Sequence, residues 1–207
     1  MTDTSTMQQI VDFILELDRL KGVTRKNRPL GLERYENSAE HSWQIALLAL
    51  SLAPHAGASI DINRVVGMLL VHDIGEIDTG DTMVYVVGGW EERKAAELVA
   101  VTRIFGLLPE PQGSKFLDLW LEFEQAETPE ALFANAADRA IPVLLNLARD
   151  GQSWRENQIS FEQVVNRVGP PIKAGCPSLW DYLLPRLEAE RRKGWYGAGP
   201  TEQGRVG

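Results

Sequence analysis

A chain of 207 residues, 44% hydrophobic and 24% charged, has the make-up of one globular domain and can bury roughly 70% of its unfolded surface without disulfide staples. Its longest near-continuous apolar run, 45–53, is half the length of a membrane span, so no transmembrane helix is expected. The net charge of −8 speaks against long nucleic acid as a main ligand. The first six residues carry neither a basic nor an apolar region, so no secretory signal is expected. Cys176 is the single cysteine, which excludes an internal disulfide and a cysteine zinc cluster and points to a reducing cytoplasm.

In chain order, Ile10, Phe13, Ile14, Leu17 and Leu20 recur at three- and four-residue steps and predict an amphipathic helix over 7–21. A basic loop follows. Between Arg19 and Arg34 stand six basic residues (Arg19, Lys21, Arg25, Lys26, Arg28, Arg34) against one acid, Glu33; this is either a solvated loop or a binder of a small anion. Asn37, with Glu40 three residues later, reads as a capping box that opens a helix to about Pro54. Asp61 or Asn63 caps the next, which ends near Gly75. Residues 76–89 form an acidic, glycine-containing loop in which 84–87 suit a short strand or a turn. Further helices are predicted over 91–105, 114–125, from Thr128-Pro129-Glu130 to Asp150, from the capping box at Ser160, and over 178–193, where Pro185 predicts a kink or break. The tail 197–207 lacks periodicity and is expected to be flexible. Seven or eight helices, no convincing strand and no internal boundary predict a single all-α domain over 1–207, with its core at about 7–194.

Three apolar helix faces are interrupted by metal-ligand residue types. His41 lies in line with Ile45, Leu48 and Leu52; His72, with Asp73 beside it, lies in line with Val65 and Leu69; Asp138 lies in line with Ala134, Ile141 and Leu145. Each alone fits a hydrogen-bonded core residue or a helix-capping acid as well as a ligand. Together they suit one ion in the middle of a bundle, because a cation would compensate both buried carboxylates at once. Two imidazoles and two carboxylates leave two positions of a six-coordinate ion open to water and a substrate oxygen. Of the three histidines, His55 follows Pro54 at a helix end and reads as a surface residue, which leaves His41 and His72 as the imidazoles of the site. Glu76, four residues past His72, can face the same site and is read as the water-activating base or proton relay.

The order His41, His72-Asp73, Asp138 resembles the signature of the HD-domain metal-dependent phosphohydrolases. The run from His72 through Gly75-Glu76-Ile77-Asp78-Thr79-Gly80 to Asp81, with Glu36-Asn37-Ser38-Ala39-Glu40-His41-Ser42 and Ala136-Ala137-Asp138-Arg139, resembles most the small 5′-deoxynucleotidases of the YfbR-like and HD-domain-containing-2 branch. The resemblance covers about 7–150. It implies an all-helical HD-domain fold with the metal between core helices, removal of the 5′-phosphate from nucleoside monophosphates, and a homodimer. By that resemblance His41, His72, Asp73 and Asp138 hold a divalent ion (Mn, Co, Fe, Ni or Zn, with Mg at a weaker second site), Asp81 contacts substrate, and Arg25 binds the phosphate, with Arg28 as the alternative. Lys26 departs from the aromatic residue some members carry after that arginine, which leaves the preference for deoxyribose open. The alternatives are hydrolysis of another phosphate ester, such as a cyclic nucleotide or guanosine tetraphosphate, and a non-catalytic nucleotide-binding module.

Overall fold

Ten α-helices make up the described residues, 4–197 of the computed structural model: α1 (Thr4–Leu17), α2 (Ser38–Leu52), α3 (Ile62–Val71), α4 (Glu76–Thr79), α5 (Trp90–Phe105), α6 (Gln112–Gln125), α7 (Pro129–Ala148), α8 (Gln152–Glu156), α9 (Phe161–Gly175) and α10 (Pro177–Arg191). Short 3-10 turns follow α1 (Asp18–Gly22) and α2 (Ala53–His55). No strand occurs among the described residues; there is one isolated antiparallel bridge, Thr24 to Asn37. The expectation for residues 198–207 lies outside the described part. No described helix is long and apolar enough to cross a membrane.

The helices start where local chemistry dictates. Asn37 and Glu40 form a reciprocal capping box on α2, Ser160 and Gln163 another on α9, and Asp61 and Thr128 cap α3 and α7 with their side-chain oxygens. Each cap satisfies amide donors that would otherwise be left unpaired at a helix start. Helix α7 is the spine. Five of its eleven buried residues are alanine (Ala131, Ala134, Ala136, Ala137, Ala140), and α2, α3, α6 and α9 pack around it. Small side chains let backbones approach: at Gly175, where α9 ends against α7, an added Cβ would lie 2.2 Å from the Leu132 carbonyl oxygen.

The core shared by α2, α3 and α7 includes Ile45, Ala49, Val65, Met68, Leu69, Ala137 and Ile141. Fully burying each larger apolar side chain contributes about 1.5–3 kcal/mol, so residues anchored in this core are held rigidly. A second cluster joins Phe13, Val71, Ile74, Val101, Ile104, Phe105, Leu108 and Trp120.

Several boundaries differ from expectation. The first helix turns from α to 3-10 at Asp18. Helix α3 stops at Val71 rather than near Gly75, and the chain passes through tight turns to α4. The Trp120 indole donates to the His72 carbonyl at 3.0 Å and holds this corner. Of the two readings open for 84–87 the turn holds, with 84–85 a turn and 86–87 irregular loop, and the short helices α4 and α8 are additional to the expected elements. Helix α10 runs unbroken through Pro185. The carbonyl deprived of its donor there belongs to Asp181, which is exposed and can be satisfied by solvent.

Candidate metal centre

His41 sits in the first turn of α2, directly after Glu40 of the capping box. His72 caps the end of α3, Asp73 follows in the turn, and Asp138 projects from the middle of α7. The ligand atoms of His41, His72 and Asp73 lie within 4.8 Å of one another. Asp138 meets this triple through the imidazoles: its Oδ1 is 2.9 Å from His41 Nε2 and 3.7 Å from His72 Nε2. The four residues predicted from interrupted apolar faces thus converge between α2, α3 and α7, and all but Asp73 are buried.

The donor chemistry fits a cation. His72 Nδ1 is 2.9 Å from the Leu69 carbonyl oxygen, an arrangement in which Nδ1 carries the hydrogen and donates it. The lone pair of the neutral ring is then on Nε2, which lies 2.9 Å from Asp73 Oδ1 and makes no hydrogen bond. A lone pair facing carboxylate oxygens is repulsive unless a positive charge lies between them, and a proton or a metal ion can supply it.

The electrostatics express the same demand. Burial alone would lower the His72 pKa, but the Asp73 and Asp138 carboxylates outweigh it and raise it to about 10. Burial and the neighbouring Arg25 guanidinium push His41 down to about 4. Asp73 falls to about 2: burial opposes ionisation, and the His72 and Arg25 charges overcome it. Asp138 is likewise held well below the carboxylate range, burial being outweighed by Arg139, 3.3 Å away, and by both histidines.

Arg25 closes the site from the basic loop. Its Nη1 is 2.8 Å from Asp73 Oδ2 and 3.3 Å from Asp81 Oδ1. Arg28, the alternative, turns away to pair with Glu156 and Glu33 and to cover the Tyr35 ring. Asp78 likewise pairs outward with Arg103, whereas Asp81 lines the cleft. Glu76, at the start of α4, accepts a 2.6 Å hydrogen bond from Ser38 Oγ. Burial and then the Asp73 charge raise its pKa to about 9. His55 is exposed, away from the cluster.

These groups open onto a cleft of about 360 Å³ whose outer walls include Lys26, Tyr85, Trp90, Glu97, Arg139 and Arg167. Sequence reasoning did not single out Ser38, Glu36 or the walls contributed by α5 and α9. Glu36 and Ser38 stand inside the segment that carries His41, yet neither interrupts an apolar period, so no periodic signal marks them.

The HD-domain family model matches residues 17–180. A Dictyostelium discoideum protein named 5′-deoxynucleotidase HDDC2 is 29% identical over 168 residues, 78% of this chain and 87% of that protein. The 5′-deoxynucleotidase hdd1 of Schizosaccharomyces pombe is 30% identical over 135 residues, 63% of this chain and 67% of its own. Among solved structures, a protein of Magnetospirillum magnetotacticum described as a predicted metal-dependent phosphohydrolase superposes with a TM-score of 0.86 at 37% identity, covering 93% of this chain and 99% of that one.

Proposed function

The chain belongs to the HD-domain phosphohydrolase family, and on that premise we propose that it removes the 5′-phosphate from nucleoside monophosphates with the help of one divalent ion. The observation that supports this best is a buried arginine, Arg25, placed against Asp73 at the edge of a two-histidine, two-carboxylate cluster at the floor of a nucleotide-sized cleft. Under the same proposal His41, His72, Asp73 and Asp138 hold Mn, Co, Fe, Ni or Zn, all of which accept imidazole and carboxylate donors. When bound, the ion supplies Lewis-acid stabilisation of the phosphoryl charge and acidifies water.

The protein's own groups do the rest. Arg25 presents a planar guanidinium to the phosphate oxygens, which suits their geometry and charge. Asp81, 3.3 Å from Arg25, orients that guanidinium from the substrate side and offers an acceptor to a sugar hydroxyl or to water. Glu76, held by the Ser38 hydroxyl, takes a proton from the attacking water and later releases it to solvent, while the departing 5′-oxygen, on the opposite face of the phosphorus, takes one from solvent, so the proton count closes. Positive charge arriving in the cluster favours the ionised form of Glu76 that the first transfer needs. In-line attack and charge stabilisation suffice for phosphoryl transfer, and no covalent nucleophile is required. Lys26 lines the cleft beside Arg25 and is a candidate contact to the sugar or base. By the resemblance, the working unit is a cytoplasmic homodimer.

Arg25→Ala tests the phosphate assignment. Loss of charged hydrogen bonds to phosphate, worth about 1.5–3 kcal/mol, raises KM for a nucleoside 5′-monophosphate roughly 10- to 100-fold. Arg28→Ala, which alters only the contacts to Glu156, Glu33 and Tyr35, stays close to wild type in steady-state assays. The reverse pattern would assign the phosphate to Arg28.

A further inference from the structure

Three buried polar atoms beside the ligand cluster have no hydrogen-bond partner: Arg25 Nε, His41 Nδ1 and Glu36 Oε2. They face one another. Glu36 Oε2 lies 3.7 Å from Arg25 Nε and 3.8 Å from His41 Nδ1. The chemistry of the three is complementary. Arg25 Nε always carries a hydrogen, and His41 Nδ1 must carry one if Nε2 is to offer its lone pair to a cation. Glu36 is an acceptor, 2% exposed, and with a cation on His41 Nε2 in place of the hydrogen shared with Asp138 it would stand between two donors. The backbone keeps it there: the Arg25 amide donates to the Glu36 carbonyl at 2.9 Å and the Glu36 amide to the Asn27 carbonyl at 2.8 Å. Closing by about 0.8 Å would bring both contacts to hydrogen-bond length.

We propose that Glu36 is a positioning residue that ties the phosphate grip to the cation grip, accepting from Arg25 Nε–H and His41 Nδ1–H with one carboxylate. The inference rests on the site being a metal-dependent phosphohydrolase centre. Bonded to Nδ1–H, the carboxylate holds His41 in the tautomer that presents Nε2 to the ion. Bonded to Nε–H, it turns the terminal amines of Arg25 toward Asp73, Asp81 and the cleft, where phosphate oxygens would meet them. Carboxylates that orient metal-ligating histidines in this way strengthen both ligand basicity and ring placement. Here the same group also sets the arginine, so binding of cation and of phosphate should weaken together when it is altered.

The test uses Glu36→Gln, which keeps the shape and removes the charge, and Glu36→Asp, which keeps the charge and shortens the reach. Three quantities are measured: Co²⁺ affinity by competition with a chromogenic chelator, affinity of the Co²⁺-loaded protein for inorganic phosphate, and Tm of the chelator-stripped protein. In Glu36→Gln, Co²⁺ binding should weaken roughly 10- to 100-fold and phosphate binding about tenfold. The stripped protein should melt close to wild type, because glutamine keeps the shape and an acceptor oxygen, and Arg25 keeps its ion pairs with Asp73 and Asp81. Glu36→Asp should weaken both affinities in the same direction. Wild-type affinities in Glu36→Gln overturn the proposal, as does weakening of only one of the two, or a fall in Tm with both affinities retained. A wild-type protein that takes up neither Co²⁺ nor phosphate overturns the assignment of the whole site, an outcome distinct from failure of the variant alone.

Discussion

His72→Ala should give a folded protein that neither retains a divalent ion nor turns over a nucleoside monophosphate, with kcat/KM at least about a thousandfold below wild type. The ring is the hinge of the cluster: its Nε2 lies within 3.7 Å of both Asp73 and Asp138, and its face stands 5.6 Å from the His41 ring, centroid to centroid. Without it the remaining donors cannot surround an ion. Lewis-acid stabilisation of a phosphoryl transition state is worth several kcal/mol, and each 1.36 kcal/mol is a factor of ten in rate. Folding should survive, because the tertiary bond that holds this corner runs from the Trp120 indole to the His72 backbone carbonyl, which alanine keeps. Metal analysis after dialysis, steady-state kinetics and far-UV circular dichroism on the same preparation check all three parts. The wild-type comparison adds a second readout. The ion must displace a proton from a ring whose pKa is raised to about 10 by Asp73 and Asp138 against the effect of burial, so metal uptake near neutral pH should release that proton.

Glu76→Ala should separate binding from chemistry. The carboxyl is no member of the ligand triple; it is held 2.6 Å from Ser38 Oγ at the start of α4, with burial and then Asp73 raising its pKa to about 9. Its removal should leave metal content and KM near wild type and lower kcat by about 10²- to 10⁴-fold, the range for loss of a positioned general acid–base group. A Glu76→Ala protein with undiminished kcat would remove Glu76 from the chemistry. Loss of the metal with the activity would instead make it a ligand. Ser38→Ala, which deprives Glu76 of its donor while keeping the carboxyl, should fall between wild type and Glu76→Ala.

The part of the fold legible in the sequence is the part written in local chemistry. Asn37 with Glu40, Asp61, Thr128 and Ser160 cap helices wherever the chain carries them, because the capping oxygen and the amides it satisfies are three or fewer residues apart. What tertiary contacts decide was not legible. The end of α3 at Val71 accompanies a bond from Trp120, 48 residues away, and α4 and α8 are too short to show a period. Pro185 is tolerated because of which carbonyl it orphans, and that depends on which face of α10 meets solvent.

The same division holds at the site. His41, His72 and Asp138 were legible because each breaks an apolar face, an anomaly that burial makes expensive without a compensating charge. Arg25 could not be separated from Arg28 by spacing: their directions are set by Asp73 and Asp81 on one side and by Glu156 on the other, all distant in sequence. Glu36 has no periodic signature at all. It sits in the extended segment paired with the basic loop, where inward and outward residues alternate over too few positions to read.

The most direct test of the central claim is phosphate release by chelator-stripped protein from 5′- and 3′-nucleoside monophosphates, ribo and deoxy, with Mn²⁺, Co²⁺, Zn²⁺ or Mg²⁺ added back. Release should require an added metal and be confined to 5′-monophosphates, with the ratio of deoxy to ribo rates showing what Lys26 contributes. Binding of the metal without release from any nucleoside monophosphate, or equal release from 3′- and 5′-esters, would contradict that claim.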